Sequence, residues 1–328
     1  MVQHETAAKP ERMARILEGL RAYQEAPRIN RVEKPPVVAR AGRAMLRSYG
    51  DEGRPLIVVP SLINPPDVLD LSEANSLLRW LATQGVRPFL VDWGEPDGAD
   101  RDMTVAGHVE ALLTPLLADF GPETILAGYC IGGTMAMALA QTRPFAGLGL
   151  IATPWVFSGF PDSARATMAG LWGQTHLIAE RLGYLPMEVL QTAFWQLDPA
   201  RTVAKFERFA GLEPGSAKAQ EFVAMEDWAN AGAPLTYGAA REMLEDMFGQ
   251  DLPGTGRWMV AGEAVDPARI ACPVFNIVSR GDRIVPAESA APVGERLDLD
   301  LGHVGMIVGG RAREAMWEPL ASWLRALG

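Results

Sequence analysis

Apolar residues recur along this chain in two rhythms. From about residue 55 to residue 153, short β-rich apolar runs alternate with stretches whose apolar positions fall three or four apart. PLIVVP (55–60) is the first such run, bounded by proline. The pattern then predicts a helix at about 72–84, a strand in VRPFLVDW (86–93) and a helix over Thr104–Phe120. ETILAGY (123–129) reads as the next strand, Ile131–Gln141 as a helix, and GLGLIAT (147–153) as a strand. The rhythm breaks at about 154–262. That stretch is rich in Met, Trp and Phe and predicts helices at 161–182, 186–195, 199–211, 216–230 and 236–248, with no clear strand. Strands resume with PVFNIVS (273–279) and near 295–301, and a C-terminal helix closes the chain at about 311–326. Near the start, Met13, Ile16, Leu17, Leu20 and Tyr23 fall at helical spacing before Pro27, which predicts an amphipathic arm packed on the core.

Alternating strands and helices imply a mostly parallel sheet flanked by helices, an α/β architecture. The division that follows is an N-terminal helical arm (1–35), a core (36–153 and 263–328) and a helical lid insertion (154–262). With 328 residues, the chain is long enough for one large α/β domain carrying such an insertion. A net charge of −10 argues against a general nucleic-acid surface. Two cysteines, Cys130 and Cys272, rule out a disulfide framework and fit a reducing cytoplasm. The first twenty residues are charged and lack an apolar core, so no signal peptide is expected, and no apolar run is long enough for a membrane span. No cofactor or metal site is expected, since His303 has no neighbouring Cys or His at ligand spacing.

Chemistry enters with Gly128-Tyr129-Cys130-Ile131-Gly132-Gly133, which lies between a predicted strand and a predicted helix. It has the outline of the α/β-hydrolase nucleophile elbow, with cysteine at the place of serine. The helix N-terminus aimed at that side chain favours a thiolate. A base and a carboxylate are then required. Of the four histidines, His303 follows the last predicted strand, where such folds carry the base. His4 lies near the terminus, His108 is expected at a surface or edge, and His176 falls in the insertion. Asp282, after the 273–279 strand, fits the chain order for the acid. Asp298 and Asp300 alternate along the last strand and are expected to face solvent, while Asp92 precedes the elbow and is read as a loop brace. The oxyanion donors are expected to be the Ile131 amide and one from the loop 61–64, with Leu62 and Ile63 both open. Cys272 is read as an inert buried thiol.

These motifs resemble the polyhydroxyalkanoate synthases, particularly the short class III catalytic subunit. Gly128–Thr134 is similar to the synthase lipase-like box, Val59–Pro65 to its oxyanion loop and Val91–Asp97 to the segment after its next core strand. Glu226-Asp227-Trp228 resembles a lid helix, Val265–Ile270 and Gly281–Pro286 the run with the catalytic Asp, and Gly302–Gly305 with Gly309–Ala312 the His loop. The resemblance runs from about residue 35 to the end. It implies an acyl-cysteine formed from an (R)-3-hydroxyacyl-coenzyme A thioester, polyester as product, and Cys130, His303 and Asp282 as the triad. It also implies a cytoplasmic site of action at polyester granules, and leaves a second synthase subunit and a homodimer open as partners. Asn64, Trp155 and Arg283 are the candidate substrate-binding residues: Trp155, Phe157, Phe160, Trp172, Phe194 and Trp195 either line an apolar channel or, the reading aromatic spacing favours, pack the insertion helices on the core, and Arg280 and Arg283 either contact coenzyme A phosphates or are solvated. Three features depart from the pattern. Arg283 stands where the family has His after the Asp, the box looks like that of the longer class I enzymes, and the chain is short for a synthase. A thioesterase, esterase or depolymerase built on the same triad, or a non-catalytic accessory protein, are the alternative readings.

Overall fold

The computed structural model describes residues 9–28 and 33–328, with a few side chains of the 187–197 helix, Phe194 among them, outside the described set. His4 also falls outside it. The core is an eight-stranded sheet in the order β1-β2-β4-β3-β5-β6-β11-β12. These strands are β1 (Val37–Ala41), β2 (Ala44–Ser48), β3 (Arg54–Val59), β4 (Val86–Asp92), β5 (Ile125–Tyr129), β6 (Gly147–Ile151), β11 (Val274–Ser279) and β12 (Glu295–Leu299). From β4 onward along that order every pairing is parallel. Parallel strands need crossovers, and the crossovers cover both faces. Every residue of β5, β6 and β11 is accordingly buried. Alternation divides the apolar residues between two layers. Ile57, Val59, Leu126 and Leu148 pack on one face, and Leu56, Val58, Ile125, Ala127, Tyr129 and Ile277 on the other.

The β1–β2 hairpin, antiparallel to itself and to β4, was not anticipated. Its signal is a short period-two pattern: residues of β2 alternate between buried and half-buried. The arginines at positions 40, 43 and 47 dilute that pattern in the sequence. The helix expected at 72–84 is shortened to Leu77–Ala82, because Ser72 and Asn75 close a turn on each other and Ser76 caps the helix by accepting from the Arg79 amide. The helical run over 105–116 contains a π-turn at His108–Leu113.

Between β6 and β11 the chain forms helices Asp162–Leu182, Met187–Leu197, Pro199–Phe209 and Ala217–Ala229, followed by a helical run over 237–247. Two pairs of two-residue strands also lie there, β7 (Tyr184–Leu185) with β8 (Leu235–Thr236) and β9 (Met259–Val260) with β10 (Glu263–Ala264), where none was expected. They are too short to leave a periodic trace. The N-terminal helix, Pro10–Glu25, docks on the 199–209 helix rather than on the sheet core. Gly19 lies so close to the Phe206 carbonyl that a β-carbon would collide with it, and Glu207 accepts from Arg12 and Arg15. No helix among the described residues is long and apolar enough to cross a membrane.

Candidate active site

β5 ends at Tyr129, and the chain turns at once into the helix Ile131–Thr142. Cys130 sits at this turn with φ +56° and ψ −133°, a backbone conformation that side chains other than glycine avoid. Such strain, of order 1–3 kcal/mol, persists only where the surroundings enforce it. They do so here through absent side chains. A β-carbon on Gly128 would collide with the Gly133 backbone, and one on Gly132 with the carbonyls of Val59 and Pro60. The elbow helix is thereby seated directly on the end of β3.

His303 and Asp282 arrive on the loops after β12 and β11. Ser279, buried at the end of β11, ties those loops together. Its hydroxyl accepts from the amides of Gly281 (3.3 Å) and Leu301 (3.0 Å) and donates to the Leu301 carbonyl. Nothing in the sequence motif singled out Ser279. Asp282 is 6% exposed, and both of its oxygens accept hydrogen bonds. Oδ1 accepts from the amides of Ile284 (2.8 Å) and Val285 (2.9 Å), and Oδ2 accepts from His303 Nδ1–H at 2.6 Å. Cys130 also acts on this imidazole, favouring its charged form. The loops after β11 and β12 thus join Asp282 to His303 near the elbow that carries Cys130.

Burial pulls the His303 pKa down, but the charges and hydrogen bonds of Asp282 and Cys130 outweigh it and push the pKa up to about 10. The site therefore favours an imidazolium beside a sulfur. Cys272, half-buried before β11, has its pKa raised by burial alone and has no such partner.

The loop after β3 starts where Gly132 of the elbow helix lies against the carbonyls of Val59 and Pro60. The Pro60 carbonyl accepts from Trp93 Nε1 at 3.2 Å, which fixes the start of the loop. The Ile63 amide donates to Ser61 Oγ at 3.2 Å, so it is engaged within the loop. The Leu62 amide has no acceptor among the described residues, nor has that of Ile131 at the first turn of the elbow helix. Of the two candidates in the loop, Leu62 keeps a free donor.

Asp92 braces its loop as expected, accepting from the Gly94 amide and from Arg47. Asp298 and Asp300 are exposed. His108 corrects the expectation of a surface or edge residue. It is 3% exposed, with Nδ1–H donating to the Thr104 carbonyl (2.7 Å), Nε2 accepting from Arg43 (2.7 Å), and burial lowering its pKa to about 4. A π-turn and a cation on the neighbouring hairpin, both invisible locally, bring it inside. Trp155 is buried against Trp258, and Phe157 and Phe160 pack with Phe248, the packing role that the sequence left open beside a channel. Arg283 is exposed and pairs with Asp198 of the insertion. Asn64 lines a cavity of about 490 Å³ enclosed by the loop after β3, the loop after β4, the 217–229 helix and the chain near Arg28 and Lys34. That cavity meets the site only at Ser61 and Leu62, and neither Cys130 nor His303 lines it.

A Haloferax mediterranei poly(3-hydroxyalkanoate) polymerase subunit PhaC is 28% identical over 290 residues, covering 82% of this chain and 58% of that protein. The Allochromatium vinosum subunit is 27% identical over 289 residues, 82% of this chain and 80% of that one. The chain is a sequence relative of the poly(3-hydroxyalkanoate) polymerases. It spans 58% and 61% of the two haloarchaeal subunits, from Haloferax mediterranei and Haloarcula marismortui. No protein-family model matches it. Among solved structures, a monoacylglycerol lipase from Paleococcus ferrophilus superposes with a TM-score of 0.53 at 14% identity, covering 87% of this chain and 99% of that one. The thioesterase domain of the curacin biosynthetic pathway gives 0.51 at 15%, covering 90% and 100%. The fold is that of the α/β hydrolases.

Proposed function

We propose that this protein is an acyltransferase that forms an acyl-Cys130 from a 3-hydroxyacyl-coenzyme A thioester and passes the acyl group to a hydroxyl, extending a polyester. The observation that carries the reading is the Asp282–His303–Cys130 chain at a strained elbow, in a relative of the polymerases. The Cys130 thiolate attacks the thioester carbonyl. The Leu62 and Ile131 amides receive the charge that develops on oxygen, and losing one such donor typically costs ~2.7–4 kcal/mol of transition-state stabilisation. The carbon–sulfur bond to coenzyme A breaks, and the leaving thiolate takes a proton from the His303 imidazolium. In the second half, His303 accepts the proton of the incoming hydroxyl as its oxygen attacks the acyl-cysteine. The bond to Cys130 breaks and an ester remains. Exchange of one thioester for another makes the first half nearly reversible, and formation of an oxoester draws the second half forward. Asp282, held by two amides, keeps Nδ1 protonated so that Nε2 faces the sulfur.

The test is incubation of the purified chain with 3-hydroxybutyryl-coenzyme A. The expected result is coenzyme A release together with polymer, an adduct on the Cys130 peptide by mass spectrometry, and loss of all three in Cys130→Ala. Free hydroxy acid as the sole product would replace the polymerase reading with a hydrolase. An unmodified, folded protein would exclude both.

A further inference from the structure

We infer that Tyr129, the residue immediately before the nucleophile, is a positioning residue for the imidazole of His303. The inference rests on the reading of His303 as the base at Cys130. The hydrogen bond that Nδ1–H donates to Asp282 fixes one end of the ring but leaves its plane free to tilt about that contact. In this structure the tilt is blocked by Tyr129. Its ring stacks on the imidazole with centroids 4.9 Å apart and planes 25° from parallel. Its hydroxyl donates to the main-chain carbonyl of His303 at 3.3 Å. Ring and backbone of His303 are thus both referenced to the same side chain.

The placement follows from strand geometry. Ile125, Ala127 and Tyr129 alternate onto one face of β5, in the apolar layer where the loops after β11 and β12 return. Cys130 is the next residue, at the turn. The strand end that presents the sulfur therefore also presents the surface on which its imidazole lies. Any displacement of β5 carries both, which holds the sulfur and the ring nitrogen in register. An aromatic face is also a favourable neighbour for a cation, and the ring above it is the one whose charged form the site favours. Tyr129 is 3% exposed, and burial with the nearby Cys130 and Asp282 keeps its phenol well above its ordinary pKa, so the hydroxyl remains a neutral donor.

Tyr129→Met and Tyr129→Phe separate the contributions. Met fills much of the volume without an aromatic face, and Phe keeps the face without the hydroxyl. Three readouts are taken: kcat and KM for coenzyme A release from 3-hydroxybutyryl-coenzyme A, the pH dependence of Cys130 alkylation by iodoacetamide, and the far-downfield proton resonance of the His303–Asp282 hydrogen bond. For Tyr129→Met the expectation is a fall in kcat of about 100-fold, as for a small misplacement of a reacting group, with KM little changed. The alkylation edge shifts and the downfield resonance broadens into water. Tyr129→Phe should keep the resonance and the pH edge, with only a modest loss of kcat. Retention of the wild-type rate, edge and resonance by a folded Tyr129→Met would reduce Tyr129 to packing and overturn the inference. Where the Met variant fails to fold, Tyr129→Leu takes the same three readouts, and retention of all three by a folded Leu variant overturns the inference. Should the wild type release no coenzyme A, the proposed function falls, but the alkylation and resonance arms still test the positioning on their own.

Discussion

Cys130 and Cys272 make the contrast at the scale of single residues. Both thiols are sheltered, but only Cys130 stands at a helix N-terminus beside an imidazole favoured as its cation. Iodoacetamide at neutral pH is therefore expected to label Cys130 well before Cys272, whose pKa burial raises, as peptide mass spectrometry would report. Equal labelling of the two would contradict the coupling. The coupling also has a sign in pH. Cys130 is one of the groups that push the His303 pKa up to about 10. In Cys130→Ala that push is gone, so His303 should titrate at lower pH, measurable by nitrogen-15 NMR of the ring. Because the folded value lies above the unfolded one of about 6.5, His303 contributes stability that is fully present below that pH and is lost as pH rises through about 10. The stability difference between wild type and His303→Gln should shrink across that window in denaturant titrations.

At the scale of elements, close backbone approach decides how the pieces seat. The elbow helix meets the end of β3 at Gly132, and the N-terminal helix meets the 199–209 helix at Gly19. Gly132→Ala forces a collision with two carbonyls that cannot step aside without moving the oxyanion loop. A destabilisation of about 1–3 kcal/mol or more is expected from such overpacking, visible as a lowered thermal midpoint. The Leu62 amide should move as well, so turnover should fall beyond what the stability loss explains. Gly19→Ala tests a different joint. It should loosen the arm from the insertion helix, seen as faster hydrogen exchange over 10–25 and 199–209, while exchange in β5 and β11 stays slow.

At the scale of the whole molecule, the sulfur is enclosed. Cys130 is 8% exposed, and the cavity of about 490 Å³ is lined by Ser61 and Leu62 but not by Cys130. The 217–229 helix bears on that loop through Trp228, whose Nε1 donates to the Pro65 carbonyl at 2.8 Å. The same helix is tied to the N-terminal arm by Asp227, which accepts from Tyr23 and Arg28. Arm, insertion helix and the loop after β3 are thus linked by side-chain hydrogen bonds. Trp228→Ala cuts the link to the loop and is expected to raise the rate of Cys130 alkylation several-fold with little change in the fold. An unchanged rate would mean that access to the sulfur lies elsewhere.

Much of this was legible in the residues alone. Parallel β/α alternation, the glycine-framed elbow and the order Cys130, Asp282, His303 are local or sequential features, and short apolar runs between turn residues record them directly. What the sequence could not carry was anything set by approach between distant segments. It left Leu62 and Ile63 level, because the choice depends on a Ser61 hydroxyl occupying one of the two amides. It put His108 outside and left Trp155 between channel and packing, because their surroundings come from Arg43 and Trp258, far away along the chain. It passed over Ser279 and Tyr129, whose roles exist only once the loops after β11 and β12 return to the end of β5. Side-chain periodicity is written along one segment and survives in a linear reading. The geometry of the site is a set of contacts between segments, and only folding brings those together.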